Sequence, residues 1–250
     1  MGIDTQIAAL PDWPAVDFSE FGEVEVCRLS PVQKLTGRFL GRNWVAIPHV
    51  THHDEIDVSD AEDRRALWNS QHPEAKVTPV ALLVRALALV LKDFPNFNAS
   101  LSSDGQSIVL KRYVNIGVAV DSPGGLLVPV LRGVDQMALP EIAQSLAAVA
   151  EKARTKGLSM PEMSGSSITL TSLGHIGGTA FTPIINAPDV AILGATAMQV
   201  RPCQGADGAL VWRKKLPLSL SYDHRVINGA DAARFVKAIG TAFSGGILFS

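Results

Sequence analysis

Two spacings of apolar residues organise this chain. Val80, Leu83, Val84, Leu87 and Leu91 recur at helical spacing behind Thr78, a side-chain cap, and Pro79, which suits a first helical position. Pro95 ends that run. A second helix is predicted from Pro140 to Arg154, with Ile142, Leu146, Val149 and Ala153 on one side. A third follows Gly229, turning Ala232, Phe235, Val236, Ile239 and Phe243 inward. Strand-like stretches lie at 45–58, 114–120, 126–131, 167–173, 190–193 and 216–222. In the last of them Leu216, Leu218, Leu220 and Tyr222 alternate with Pro217, Ser219 and Ser221, which gives one apolar face. Helices and strands are mixed rather than strictly alternating, so the fold class predicted is α+β, a mixed-sheet sandwich with helices packed on the sheet. Residues 1–20, with Pro11, Trp13 and Pro14, read as an extended arm whose Trp13 and Phe18 pack on a neighbouring surface. Residues 21–250 read as one domain.

Composition narrows the class. At 250 residues and 47% hydrophobic content the chain can bury a sizeable core. A formal net charge of -2, without a dense Lys/Arg stripe, argues against a nucleic-acid partner. The longest apolar run, 80–91, is interrupted by Arg85 and too short for a bilayer, so no membrane partner is expected. Residues 1–7 lack the apolar segment of a signal peptide. Cys27 and Cys203 cannot build a disulfide framework, and a reducing, cytoplasmic compartment is the expectation.

The chemistry concentrates in 221–230, Ser-Tyr-Asp-His-Arg-Val-Ile-Asn-Gly-Ala. His224 follows a strand and precedes a helix, in the kind of loop where a rigid scaffold presents reactive groups. An imidazole suits proton transfer near neutral pH. A lone histidine in a turn is most often structural, but its surroundings reverse those odds. The run from Asp223 to Ala230 resembles the signature Asp-His-Arg-x-x-Asp-Gly-Ala of the dihydrolipoyl acyltransferases, whose fold and histidine motif are related to those of chloramphenicol acetyltransferase. The stretches 181–194, 118–130, 42–51 and 16–22 are also similar to blocks of that family, the last two to its bacterial pyruvate dehydrogenase subtype.

The resemblance implies a chloramphenicol acetyltransferase-like two-layer sandwich that moves an acetyl group between dihydrolipoamide and coenzyme A, with neither a metal nor a covalent acyl-enzyme. It implies a homotrimer with sites between subunits, His224 as general base and a hydroxyl that stabilises the tetrahedral intermediate. Where the family has a serine, this chain has Thr171, with its neighbour Ser172 as the fallback hydroxyl and a substrate-binding candidate; on a strand the two point to opposite faces. Asn228 replaces the last Asp of the signature and supports the histidine loop. Asp121, Phe181 and Ile184 lie in blocks that line the substrate channel of relatives. Lys111 and Arg112 are candidates for the phosphates of coenzyme A, against the commoner reading of two adjacent cations as a solvated, solvent-facing edge. The lipoyl group is carried on a separate domain; no Asp-Lys-Ala lipoylation turn is visible, so the chain reads as a catalytic part. Implied partners are the decarboxylase and dihydrolipoyl dehydrogenase of the complex, and a 24-subunit cubic core built through an apolar C-terminal knob, here Ile247, Leu248 and Phe249. Acetoin, branched-chain and succinyl cores share the same signatures, so the acyl group stays open. A largely structural core and a free-standing acetyltransferase are the readings from other classes. Two further patterns carry less. His49, His52, His53, Asp54 and Glu55 lack the spacing to complete a metal site. Gly174, Gly177 and Gly178 lack the strand-turn-helix frame of a dinucleotide fingerprint.

Overall fold

The computed structural model describes residues 14–249. The elements run α1 (Pro31–Ala46), β1 (His49–Asp57), α2 (Ser59–Gln71), α3 (Pro79–Val90), β2 (Ala99–Leu101), β3 (Ile108–Leu110), β4 (Ile116–Val118), β5 (Val120–Ser122), β6 (Gly125–Leu127), β7 (Val130–Leu131), α4 (Leu139–Thr155), β8 (Ile168–Ser172), β9 (Ala191–Ala195), β10 (Gln199–Gln204), β11 (Leu210–Asp223) and α5 (Gly229–Ser244). Seven strands form one mixed sheet in the order β1-β11-β9-β8-β4-β7, with β10 also paired to β11. β8 is parallel to both β4 and β9; the other pairs in this sheet are antiparallel. β2 with β3, and β5 with β6, form two small ribbons.

The sheet has two unlike faces, as the alternation at 216–222 requires. Leu170, Leu193, Leu218, Leu220 and Tyr222 point to the layer of helices, where they pack with Leu83, Leu87, Ile142, Phe235, Val236 and Ile239. The Phe97 and Phe235 rings stack at 4.0 Å in that layer. The second face is polar. Thr51 and Ser221 share a hydrogen bond of 2.8 Å, and His53 Nδ1 lies 2.9 Å from Ser219 Oγ. Segment 181–188 crosses this face, with Ile185 packed against Ile47 and Ile192. Phe181 is seated on Gly194: a Cβ there would meet the ring at 2.5 Å. The observed class is the α+β mixed sheet expected.

Several boundaries are corrected. The stretch 45–58 is not all strand, because α1 runs to Ala46. Ser30 and Gln33 cap α1 reciprocally, yet only its Asn43 is buried, so its apolar residues mark no stripe toward this chain's core. The stretches 114–120 and 126–131 each break into two short strands, and β11 begins six residues before 216, extended by its hairpin with β10. Of the expected arm, residues 1–13, with Trp13, lie outside the described residues. Phe18–Phe21 is a 3-10 turn capped by Asp17, not extended chain. Phe18 and Phe21 are 67% and 79% exposed, and Val26 is 88% exposed. The C-terminal knob is also corrected: Leu248, 1% exposed, folds back into this chain's own core in a 3-10 turn, with Phe249 packed against it.

One ionic cluster fixes the start of β8. The buried Asp189 carboxylate accepts from Ser166 Oγ at 2.8 Å and from Thr169 Oγ1 at 2.8 Å. Lys111 Nζ lies 3.8 Å from it and donates to Ser166 O at 2.7 Å. Burial pushes the Asp189 carboxyl above its ordinary range, opposed by Lys111 and the two hydroxyls. Burial likewise pushes the Lys111 amine down, opposed by Asp189. Lys111→Met therefore strands a buried carboxylate and is expected to lower stability by about 3–5 kcal/mol in denaturant titration. Pairing it with Asp189→Leu should recover part of that loss. Gly194→Ala should cost about 1–3 kcal/mol by forcing Phe181 off its seat, and Phe181→Leu in the same chain should relieve it.

Candidate active site

β11 ends on Asp223, which is 2% exposed and fixes the turn that follows. Its carboxylate takes a fork from Arg225, Nε to Oδ1 at 2.9 Å and Nη2 to Oδ2 at 2.6 Å, together with the Arg225 backbone N at 3.0 Å. Its carbonyl accepts from Val226 N and Ile227 N, both at 3.0 Å. His224 N donates to Pro48 O at 3.1 Å. Asn228 then caps α5, its Oδ1 accepting from Asp231 N at 3.1 Å. An amide performs this cap as a carboxylate would, so the Asp-to-Asn exchange keeps the loop. The backbone of His224 is thus held on both sides. Its imidazole is exposed, 5.9 Å from the Tyr222 ring, and takes no protein hydrogen bond among the described residues.

The two hydroxyls of β8 do point to opposite faces. Ser172 shares the face of Leu170, and its Oγ accepts from Gly174 N at 3.3 Å within the turn that follows. Thr171 is partly exposed on the polar face, and its hydroxyl has no protein partner among the described residues. It lies in one row with Gly194 of β9 and Ser219 of β11. His224 is five residues along from that row and two strands across. At ~3.3 Å per residue and ~4.8 Å per strand, the two groups of one chain stand roughly 20 Å apart. The two side chains therefore do not meet within a single chain.

The remaining candidates divide. Phe181, half-buried, sits on the Thr171 row itself, over Gly194 and Ser219, and Ile184, also half-buried, lies farther along the same segment toward His49 and the His224 end. Asp121 is exposed on β5, just past the Thr171 end of β8, since Ala119 N donates to Leu170 O. Arg112 is exposed near the start of β4. Its neighbour Lys111 is committed to Asp189 inside the protein, which corrects the reading of both as phosphate ligands. His49 is structural: Nδ1 donates to Ile47 O at 2.8 Å and Nε2 accepts from Ile185 N at 3.0 Å. No cluster of three metal-binding side chains occurs among the described residues. Gly177 and Gly178 take positive φ in a turn beside Thr196. The sequence reading missed two features. One is the Asp223–Arg225 fork, whose signal was the quoted Asp-His-Arg run itself. The other is the pairing of His53 with Ser219, signalled only by the shared face of His49 and His53.

Comparison with known proteins fits this geometry. Residues 21–244 match the profile of the family described as 2-oxoacid dehydrogenases acyltransferase (catalytic domain). The chain is 45% identical over 243 residues to the dihydrolipoyllysine-residue acetyltransferase component of the pyruvate dehydrogenase complex of Haemophilus influenzae, covering 93% of this chain and 41% of that protein. It is 49% identical to the same component of Pseudomonas aeruginosa, covering 93% and 43%. The chain thus spans about two-fifths of these relatives. A solved structure of Azotobacter vinelandii dihydrolipoamide acetyltransferase, concerned with the roles of a serine, a histidine and an asparagine in its catalytic mechanism, superposes with a TM-score of 0.92 at 45% identity, covering 96% of this chain and all of that one. The cubic core of a pyruvate dehydrogenase multienzyme complex superposes equally well, at the same identity and coverage. Chloramphenicol acetyltransferase, 14% identical with a TM-score of 0.57 and covering 79% of this chain and 89% of that one, shares the fold. From the signature turn, the sheet that carries it and these likenesses together, the chain belongs to the 2-oxoacid dehydrogenase acyltransferases, of which it holds the catalytic domain.

Proposed function

We propose that this chain transfers an acetyl group between dihydrolipoamide and coenzyme A, as the core of a 2-oxo-acid dehydrogenase complex that oxidises pyruvate. The observation that carries the reading is His224: an exposed imidazole, without a hydrogen bond among the described residues, on a turn fixed by Asp223, Arg225, Pro48 and Asn228. In the Azotobacter vinelandii enzyme the named histidine and asparagine are four positions apart, as His224 and Asn228 are here. Identity near one half to pyruvate dehydrogenase components supports acetyl over the other acyl groups. An orienting and capping amide at Asn228 leaves the imidazole free to act.

The chemistry needs few groups. His224 takes the proton of the coenzyme A thiol, and the sulfur attacks the thioester carbonyl of acetyl-dihydrolipoamide. The carbonyl oxygen becomes an oxyanion, to which the Thr171 hydroxyl donates. Collapse breaks the bond to the lipoyl sulfur, which leaves with the proton returned by the imidazolium. The roughly 20 Å between His224 and Thr171 in one chain supports a meeting between two copies. A homotrimer supplies that contact, His224 of one copy facing Thr171 of the next, and accounts for the uncovered Phe18, Phe21 and Val26. Stacking of trimers into a 24-subunit cube, with the decarboxylase and dihydrolipoyl dehydrogenase as outer partners, rests on likeness to the relatives.

His224→Ala is expected to lower turnover by about 10²–10⁴-fold with assembly intact, measured with acetyl coenzyme A and dihydrolipoamide. Wild-type turnover in a correctly assembled variant removes His224 from the mechanism. Thr171→Val is expected to lower turnover by roughly 10²–10³-fold, while Ser172→Ala stays within a few-fold. The reverse pattern moves the oxyanion donor to Ser172. Refolding the His224→Ala and Thr171→Val chains together should restore activity, because one interface of a mixed trimer then carries both wild-type groups. No recovery in mixed trimers overturns the intersubunit site.

A further inference from the structure

We propose that His53 is a binding residue for the dihydrolipoyl arm, donating from Nε2 to the arm's carboxamide oxygen; this rests on the transfer reaction proposed above. The geometry begins with a row. His53 of β1 pairs with Ser219 of β11, Ser219 with Gly194 of β9, and Gly194 with Thr171 of β8. Directly paired residues share a face, so the imidazole and the Thr171 hydroxyl look out from the same polar surface. Three strand spacings separate them, or about 14 Å.

Hydrogen-bond accounting sets the tautomer. Ser219 is buried, and its Oγ accepts from Phe181 N at 3.4 Å. Its own proton has one acceptor at hand, His53 Nδ1 at 2.9 Å. With Nδ1 accepting, the ring carries its hydrogen on Nε2. The buried hydroxyl is then satisfied, and an N–H remains on an exposed ring with no protein acceptor among the described residues. His49 differs: both of its nitrogens are used internally.

What lies between the two ends selects the ligand. The Phe181 ring is seated on Gly194, one strand from Thr171 and two from His53, and supplies an apolar stretch between hydroxyl and imidazole. Dihydrolipoamide has that order of chemistry: thiols, then a run of methylenes, then a carboxamide. With its thioester carbonyl at Thr171, its methylenes lie over Phe181 and its amide oxygen comes to His53. The pantetheine arm of coenzyme A does not fit the order, because its first amide follows only two methylenes from sulfur and would be stranded over the ring. Glu55, two residues along the same face and paired with Arg201 at 2.9 Å, offers nothing to the phosphates of coenzyme A.

Equilibrium binding of each thiol to the assembled chain tests this. His53→Phe should weaken dihydrolipoamide by about three- to tenfold, the scale of one neutral hydrogen bond, and leave coenzyme A within twofold. His53→Gln, which keeps an N–H donor near Nε2, should recover most of the loss. An octane dithiol lacking the carboxamide should bind wild type and His53→Phe alike. Unchanged dihydrolipoamide affinity in His53→Phe, or an equal loss for the octane dithiol, overturns the assignment while leaving the transfer reaction standing. Failure of the wild-type chain itself to bind dihydrolipoamide overturns both.

Discussion

A carboxylate shut away from water, Asp189, sits where three segments of the chain meet. Two hydroxyls and an ammonium surround it, and each comes from a different place: Ser166 and Thr169 on the approach to β8 and within it, Lys111 ahead of β4. A charge so placed tolerates few arrangements, because its desolvation is offset only while those donors stay aimed at it. Sliding β8 by one residue would remove Thr169 from the cluster and exchange Thr171 for Ser172 on the polar face. The ionic contact thereby decides which hydroxyl β8 shows on the polar face. A hydrophobic core alone does not make that choice, since Thr and Ser are nearly neutral in preference between the two faces.

The same device recurs at the histidine. Asp223 is buried at the end of β11 and its acceptors are filled by Arg225 and by backbone N–H groups of the following turn. The result is a loop without slack, carrying an imidazole that takes no hydrogen bond among the described residues. Two carboxylates therefore fix two segments of the same sheet, the strand that bears Thr171 and the turn that bears His224. Both backbones are tied down by hydrogen bonds within the chain itself, the condition under which a fixed donor stabilises a developing charge. Such preorganisation is most effective when the groups sit on strands or at their ends, as here.

The sequence exposed some of this and concealed the rest for physical reasons. The alternation of Leu216, Leu218, Leu220 and Tyr222 gave β11 because one face meets helices and the other does not. Thr78 and Pro79 gave the start of α3 because a cap and a preset φ act locally. α1 was not legible: Leu35, Phe39 and Trp44 point away from this chain's own core, so their spacing marks no inward stripe. β2, β3, β5 and β6 are three residues each, too short for a period to register. Lys111 was read as solvent-facing because a cation usually is; its burial depends on Asp189, 78 positions away, which no local pattern reports. The reactive turn was legible as a signature, whereas the pairing of His53 with Ser219 required knowing which strands lie side by side.

The uncovered apolar side chains of the N-terminal segment bear on how this protein is handled. Phe18, Phe21 and Val26 take little cover from the described residues of their own chain, so any further cover comes from outside them. When that cover is another copy, folding and association become a single equilibrium, and the free energy of the native state contains the logarithm of protomer concentration. A melting temperature recorded in a dilute cuvette then describes a different balance from one recorded in a crowded complex. Dilution itself becomes a mild denaturant, acting first on α1 and the segment before it, where the fewest intrachain contacts hold the chain in place.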